Sequence, residues 1–64
     1  MLDRALAKLP PRLKTVFVMA QIEELPYEQI AQIEAISTGT VKSRVHRARK
    51  RLAKELQRYQ EHCQ

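Results

Sequence analysis

The sequence predicts an all-α fold: a compact four-helix domain that ends in a helix-turn-helix and carries no wing. Three observations predict it. Ala, Leu, Lys, Arg, Glu and Gln dominate the chain, and these are the residues that lose least on entering a helix. Pro10, Pro11 and Pro26 divide the first half into short pieces, each placed where proline suits the first turn of a helix and stops the one before it. Within each piece apolar residues recur at helical spacing. Sixty-four residues allow one small domain. A chain of this size buries only about 60% of the surface its unfolded form exposes, which leaves no second lobe and no deep cleft.

The first helix is expected over about residues 3–9, with Leu2, Leu6 and Leu9 on one side. The second opens near Pro11 and runs to about Glu24, with Leu13, Val16, Phe17 and Ala20 facing the core and Leu25 beside them. The third opens at Pro26 or Tyr27 and ends near Glu34, with Ile30, Ala31 and Ile33 inward. Ser37 then offers a hydroxyl to the free amides of a helix start. The last helix is expected from Thr38 to about Tyr59, with Val41, Val45, Ala48, Leu52 and Leu56 forming one apolar stripe.

The formal net charge is +5, and one segment supplies it. Residues 1–41 hold four basic and five acidic side chains, a net of −1. Residues 42–54 hold seven basic side chains and no acidic one, a net of +7, and residues 55–64 return −1. In an arbitrary protein such a run is a solvated helix face. Here the run itself holds no carboxylate that could neutralise it by pairing one turn away, so a polyanion partner is the better reading. At about 100° per residue, Gly39, Ser43, His46 and Lys50 lie opposite the Val41 stripe, with Lys42 and Arg47 flanking them. Arg44, Arg49 and Arg51 lie nearer the stripe, where the stems of Arg49 and Arg51 cover it.

Other chemistry is excluded or weak. No paired-carboxylate cleft, nucleophile triad or glycine-rich phosphate loop is present, so no enzyme and no cofactor is expected. His62 and Cys63 adjoin without further ligands at zinc spacing, so no metal site is expected. With Cys63 the sole cysteine, no disulfide forms within the chain, which fits a reducing cytoplasm. No apolar run is long enough to span a membrane. A basic amphipathic helix on anionic membrane or acidic protein is the rival from another class, but the stripe lacks Trp and Phe and is needed for the core.

The strings "LPPRLKTVFVM", "LPYEQIAQI" and above all "STGTVKSRVHRARKRL" resemble region 4 of bacterial sigma factors, most closely the extracytoplasmic-function (ECF) group. The likeness covers about residues 6–52. It implies that residues 1–64 are one domain of a longer sigma factor, and that the last helix reads the promoter −35 element. Carried over by position, Lys42, Ser43, His46 and Arg47 face the groove, Thr40 and Arg44 approach phosphates, and Thr38, Gly39 and Lys50 complete the set. Tyr27 and Glu28 lie where the family approaches the opposite backbone. Arg44 has a second possible role, an ion pair with Glu28. The resemblance also implies the RNA polymerase β-subunit flap and an anti-sigma factor as partners, with Val18, Met19 and Ile22 as surplus apolar residues to receive them. The output domain of a response regulator is the rival within DNA binding. The chain departs from the family at Ala35, where many relatives have Gly: either the turn is left-handed and strained by about 1 kcal/mol, or it takes another shape. Pro26 stands for a frequent Ser or Thr cap, and His46 occupies a variable position that tunes which promoter is read.

Overall fold

Proline sets where the early helices stop and start. In a computed structural model, which describes residues 2–62 and the side chains of residues 4–57, helix α1 spans Leu2–Ala7. It closes with two tight turns, the Lys8 and Leu9 amides donating to the Ala5 and Leu6 carbonyls at 3.2 and 3.0 Å. Pro10 is extended (φ −56°, ψ 146°), and α2, Pro11–Phe17, begins on Pro11. The missing N–H of Pro11 would have had no partner in a first turn. The side chains of Leu2 and Tyr59, and His62 and Cys63 as a pair, lie outside the described residues.

The second helix closes about two residues before its expected end near Glu24 and is less regular than its spacing implies. After Phe17 it widens into a π-helical turn, Val18–Ile22. The Glu23 amide there donates to the Val18 carbonyl five residues back at 3.0 Å, and the Leu25 amide to the Met19 carbonyl at 2.9 Å. Glu24, at φ 56°, reverses the chain toward Pro26.

Helix α3 spans Tyr27–Glu34 and starts from Pro26, whose carbonyl accepts from the Gln29 and Ile30 amides at 3.0 and 3.1 Å. Ile30 and Ala31 are buried and Tyr27 is half-buried. The expectation that Ile33 points inward is corrected: it is 52% exposed. The reason is angular. Ile30 and Ala31 define an inward direction with Tyr27 between them, and Ile33 lies about 110° away from it.

Ala35 settles the form of the next turn. It sits in the left-handed region (φ 57°, ψ 45°), and the Ile36 amide donates to the Ala31 carbonyl at 3.0 Å while the Ala35 amide approaches that of Gln32 at 3.4 Å. This is the six-to-one and five-to-two pattern of a Schellman cap. Ile36 packs on the core beyond it. Two residues later Ser37 caps helix α4, Thr38–His62. Its Oγ accepts from the Thr40 amide at 3.1 Å and lies 2.8 Å from Thr40 Oγ1, while its carbonyl accepts from the Val41 amide at 3.1 Å. At 25 residues, α4 runs about 37 Å at 1.5 Å per residue, a little past its expected end.

Helix α4 is the spine on which the other helices pack. Its amino-terminal half gives Val41 and Val45 to a cluster with Val16, Ile30 and Ala31, against which Met19, Ala20, Leu25, Tyr27 and Ile36 also rest. Its middle gives Ala48 and Leu52 to a cluster with Ala5, Leu6, Leu9 and Leu13, edged by Phe17. Val16, Ile30, Val41 and Val45 are wholly buried, each burial contributing about 1.5–3 kcal/mol. Lys8 donates to Glu55 at 3.1 Å, a surface pair worth about 0–1 kcal/mol.

Because the left-handed Ala35 carries a Cβ that such backbone disfavours, Ala35→Gly should raise the unfolding free energy by about 1 kcal/mol. Urea titration of both chains measures this, and a lower midpoint for the Gly variant would contradict it.

Candidate nucleic-acid interface

The apolar seam of α4 fixes what its other face presents. With Val41, Val45, Ala48 and Leu52 turned inward, Gly39, Lys42, Ser43, His46, Arg47 and Lys50 are all exposed, as is Thr38 at the start of the helix. Thr40 and Arg44 are half-buried on one flank. On the other flank stands the start of α3, with Tyr27 half-buried and Glu28 exposed. Between α3 and α4 lies a shallow depression of about 390 Å³ lined by Tyr27, Gly39, Lys42, Ser43, Val45, His46 and Arg49.

Every residue of the expected nucleic-acid set therefore lies on α4 or at the start of α3, and the depression gathers Tyr27, Gly39, Lys42, Ser43 and His46 into one surface. Thr40 and Arg44 lie apart from it, across α4. This corrects the expected ion pair: among the described residues Arg44 and Glu28 are not joined. Tyr27 shares the depression with Lys42 and Arg49, and Arg44 points about 150° away from that edge around the helix. Glu28 follows Tyr27 on α3 and so stands on the wrong flank for it.

Arg49, expected at the edge of the stripe, is exposed and lines the depression together with Val45 of that stripe. It follows Lys42 by seven residues, two helical turns, and so shares its edge.

Glycine is not required by the fold at position 39. A Cβ built there meets only Ser37 Oγ, at 3.8 Å, an ordinary contact. The missing side chain instead leaves the helix backbone bare on its outer face. The electrostatics are one-sided. Among the described residues no carboxylate pairs with Lys42, Arg44, Arg47, Arg49 or Lys50, and residues 42–54 carry +7. A helix with side chains is about 10–12 Å across, and the DNA major groove is about 12 Å wide.

The apolar residues of α2 divide differently from expectation. Ile22 is 57% exposed and Val18 half-buried, but Met19 packs against the core and is not surplus to it. Val18 and Met19 still reach the surface in a groove of about 650 Å³ with Ala7, Leu9, Pro11, Lys14, Thr15 and Glu23. Among the described residues no group of three His, Cys, Asp or Glu is placed to hold a metal, and no helix is long and apolar enough to cross a membrane.

Comparison with known proteins agrees with this geometry. The profile of the family described as sigma-70, region 4, matches residues 1–52. The chain is 42% identical over 55 residues to the ECF RNA polymerase sigma factor SigW of Bacillus subtilis, covering 86% of this chain and 29% of that protein. It is 43% identical over 51 residues to the ECF RNA polymerase sigma factor SigE of Mycolicibacterium smegmatis, covering 80% of this chain and 20% of that one. With the RNA polymerase sigma factor SigV of Bacillus subtilis the identity is 45% over 49 residues, 77% of this chain and 30% of that protein. The chain thus spans less than a third of the length of these relatives. The matched profile takes in all four helix starts and the basic outer face as far as Leu52, and the chain belongs to the sigma-70 region 4 family.

Proposed function

We propose that this chain is the promoter-reading domain of a longer ECF-type sigma factor in the cytoplasm, that it binds the −35 element, and that it acts by binding and not by catalysis. The exposed row Gly39, Lys42, Ser43, His46, Arg47 and Lys50 supports this above all, because it stands on a helix held by a buried seam on its opposite side. In this reading α4 enters the major groove by its first turns. Lys42, Ser43, His46 and Arg47 meet base edges, and Thr38, Thr40, Arg44 and Lys50 meet phosphates. Tyr27 and Glu28 bring the free amides of the α3 start near the backbone of the other strand, where a helix amino terminus favours an anion. Arg49 joins them from across the depression.

Affinity then comes chiefly from neutralised phosphates and released counterions, and discrimination from the base edges. The sigma factor's other partners are RNA polymerase core, whose β-subunit flap docks at the groove of Val18 and Met19 and at the exposed Ile22, and an anti-sigma factor that masks the same residues.

Two substitutions separate the roles. Arg47→Ala should relax preference at one base pair, a loss of about 1–3 kcal/mol of discrimination. Lys50→Ala should weaken cognate and scrambled duplexes alike and flatten the salt dependence by about one ion. Fluorescence anisotropy across a salt series measures both, and equal losses on both duplexes for both variants would refute the roles.

Gly39→Ala sets stability against binding. Alanine is the better helix former by about 0.5–1 kcal/mol, so the variant should be the harder to unfold. It should nonetheless bind cognate duplex more weakly, because its methyl stands between backbone and DNA. Unchanged affinity in the stabilised variant would remove Gly39 from the interface.

A flap-tip peptide titrated against isotope-labelled domain should move the resonances of Val18, Met19 and Ile22. Shifts confined to α4 would exclude the α2 groove as its seat.

A further inference from the structure

Of the side chains on the exposed α4 row, only that of His46 is an imidazole, whose ring nitrogens can donate or accept. Histidines change charge between about pH 5 and 8. A neutral ring has one donor and one acceptor nitrogen, and a protonated ring has two donors. His46 is exposed and lines the depression between α3 and α4. Its neighbours one turn away on α4 are Lys42, Ser43, Arg49 and Lys50, with Arg47 adjacent. From α3 only Tyr27 faces it across the depression, and no carboxylate lines that surface. Among the described residues no hydrogen bond holds the ring. Among the described residues no hydrogen bond therefore fixes the ring in one tautomer, while lysine, arginine and tyrosine side chains ordinarily keep one charge throughout this range.

We infer that His46 is a proton-switched base reader. The inference rests on the groove-binding role proposed above and assigns it a chemistry. With the ring charged, the nitrogen turned to the base edge can only donate. It then suits guanine, whose major-groove edge presents the O6 and N7 acceptors, and it opposes the amino group of adenine or cytosine. With the ring neutral, that nitrogen can be the acceptor and takes a hydrogen from the same amino group. The proton thus selects the base as well as adding a charge near the phosphates, and promoter preference at one position becomes a function of pH.

The test uses the full 64-residue chain. Bound duplexes are selected from a random pool at about pH 5.5 and about pH 8, which bracket histidine titration. Duplexes differing only at the discriminating position are then titrated directly, with circular dichroism confirming the helical fold at both values. The guanine-to-adenine affinity ratio at that position should rise about fivefold or more on acidification. His46→Gln, whose amide always offers both donor and acceptor, should hold a ratio independent of pH. His46→Lys, a donor at both values, should favour guanine throughout. A wild-type ratio that stays flat while the motif is still selected overturns the switch and leaves the groove-binding role standing. The same pH response in His46→Gln also overturns it. Selection of no motif at either pH overturns both.

Discussion

One helix is both the spine of the core and the carrier of the exposed basic row, and the domain depends on keeping those two faces on opposite sides of it. Val41, Val45, Ala48 and Leu52 form an unbroken buried seam, and no basic residue of α4 interrupts it. Both core clusters draw on this seam, one with α3 and the end of α2, the other with α1 and the start of α2. If α4 turned by a single residue, Lys42 would enter the apolar interior and Val41 would face water. Burying an unpaired ammonium is so unfavourable that the rotation of the helix is set more firmly than its length. The outward row is positioned as a by-product of that demand.

The start of the helix is held with similar economy. Ala35 turns the chain and Ser37 caps the next helix two residues later. Between them only Ile36 remains, and it packs on the core. The angle between α3 and α4 is thus set by a Schellman cap, a serine cap and one apolar contact. A domain this small has few other restraints. That same angle brings Tyr27 opposite Lys42, His46 and Arg49, so the width of the depression between the two helices depends on the turn.

Much of this could be read before any coordinates. The helix starts at Pro11, Tyr27 and Thr38 follow from proline and serine chemistry, and the α4 stripe follows from spacing alone. Segregated charge and the likeness to region 4 of sigma factors pointed to the outer face. What escaped was whatever depends on how one helix lies across another. Ile33 has a plausible helical period with Ile30, yet the inward direction of α3 is set by Tyr27 and Ala31 together. The Arg44–Glu28 pair failed because sequence spacing does not say which flank of α4 receives α3. The widened turn over Val18–Ile22 has no signature in its residues.

The bare backbone and unpaired side chains of the outer face take no part in packing, and this has an evolutionary consequence. Lys42, Ser43, His46 and Arg47 belong to neither hydrophobic cluster, so a lineage can change this face without passing through unfolded ancestors. Duplicated copies of such a gene would diverge on it while inheriting the same scaffold.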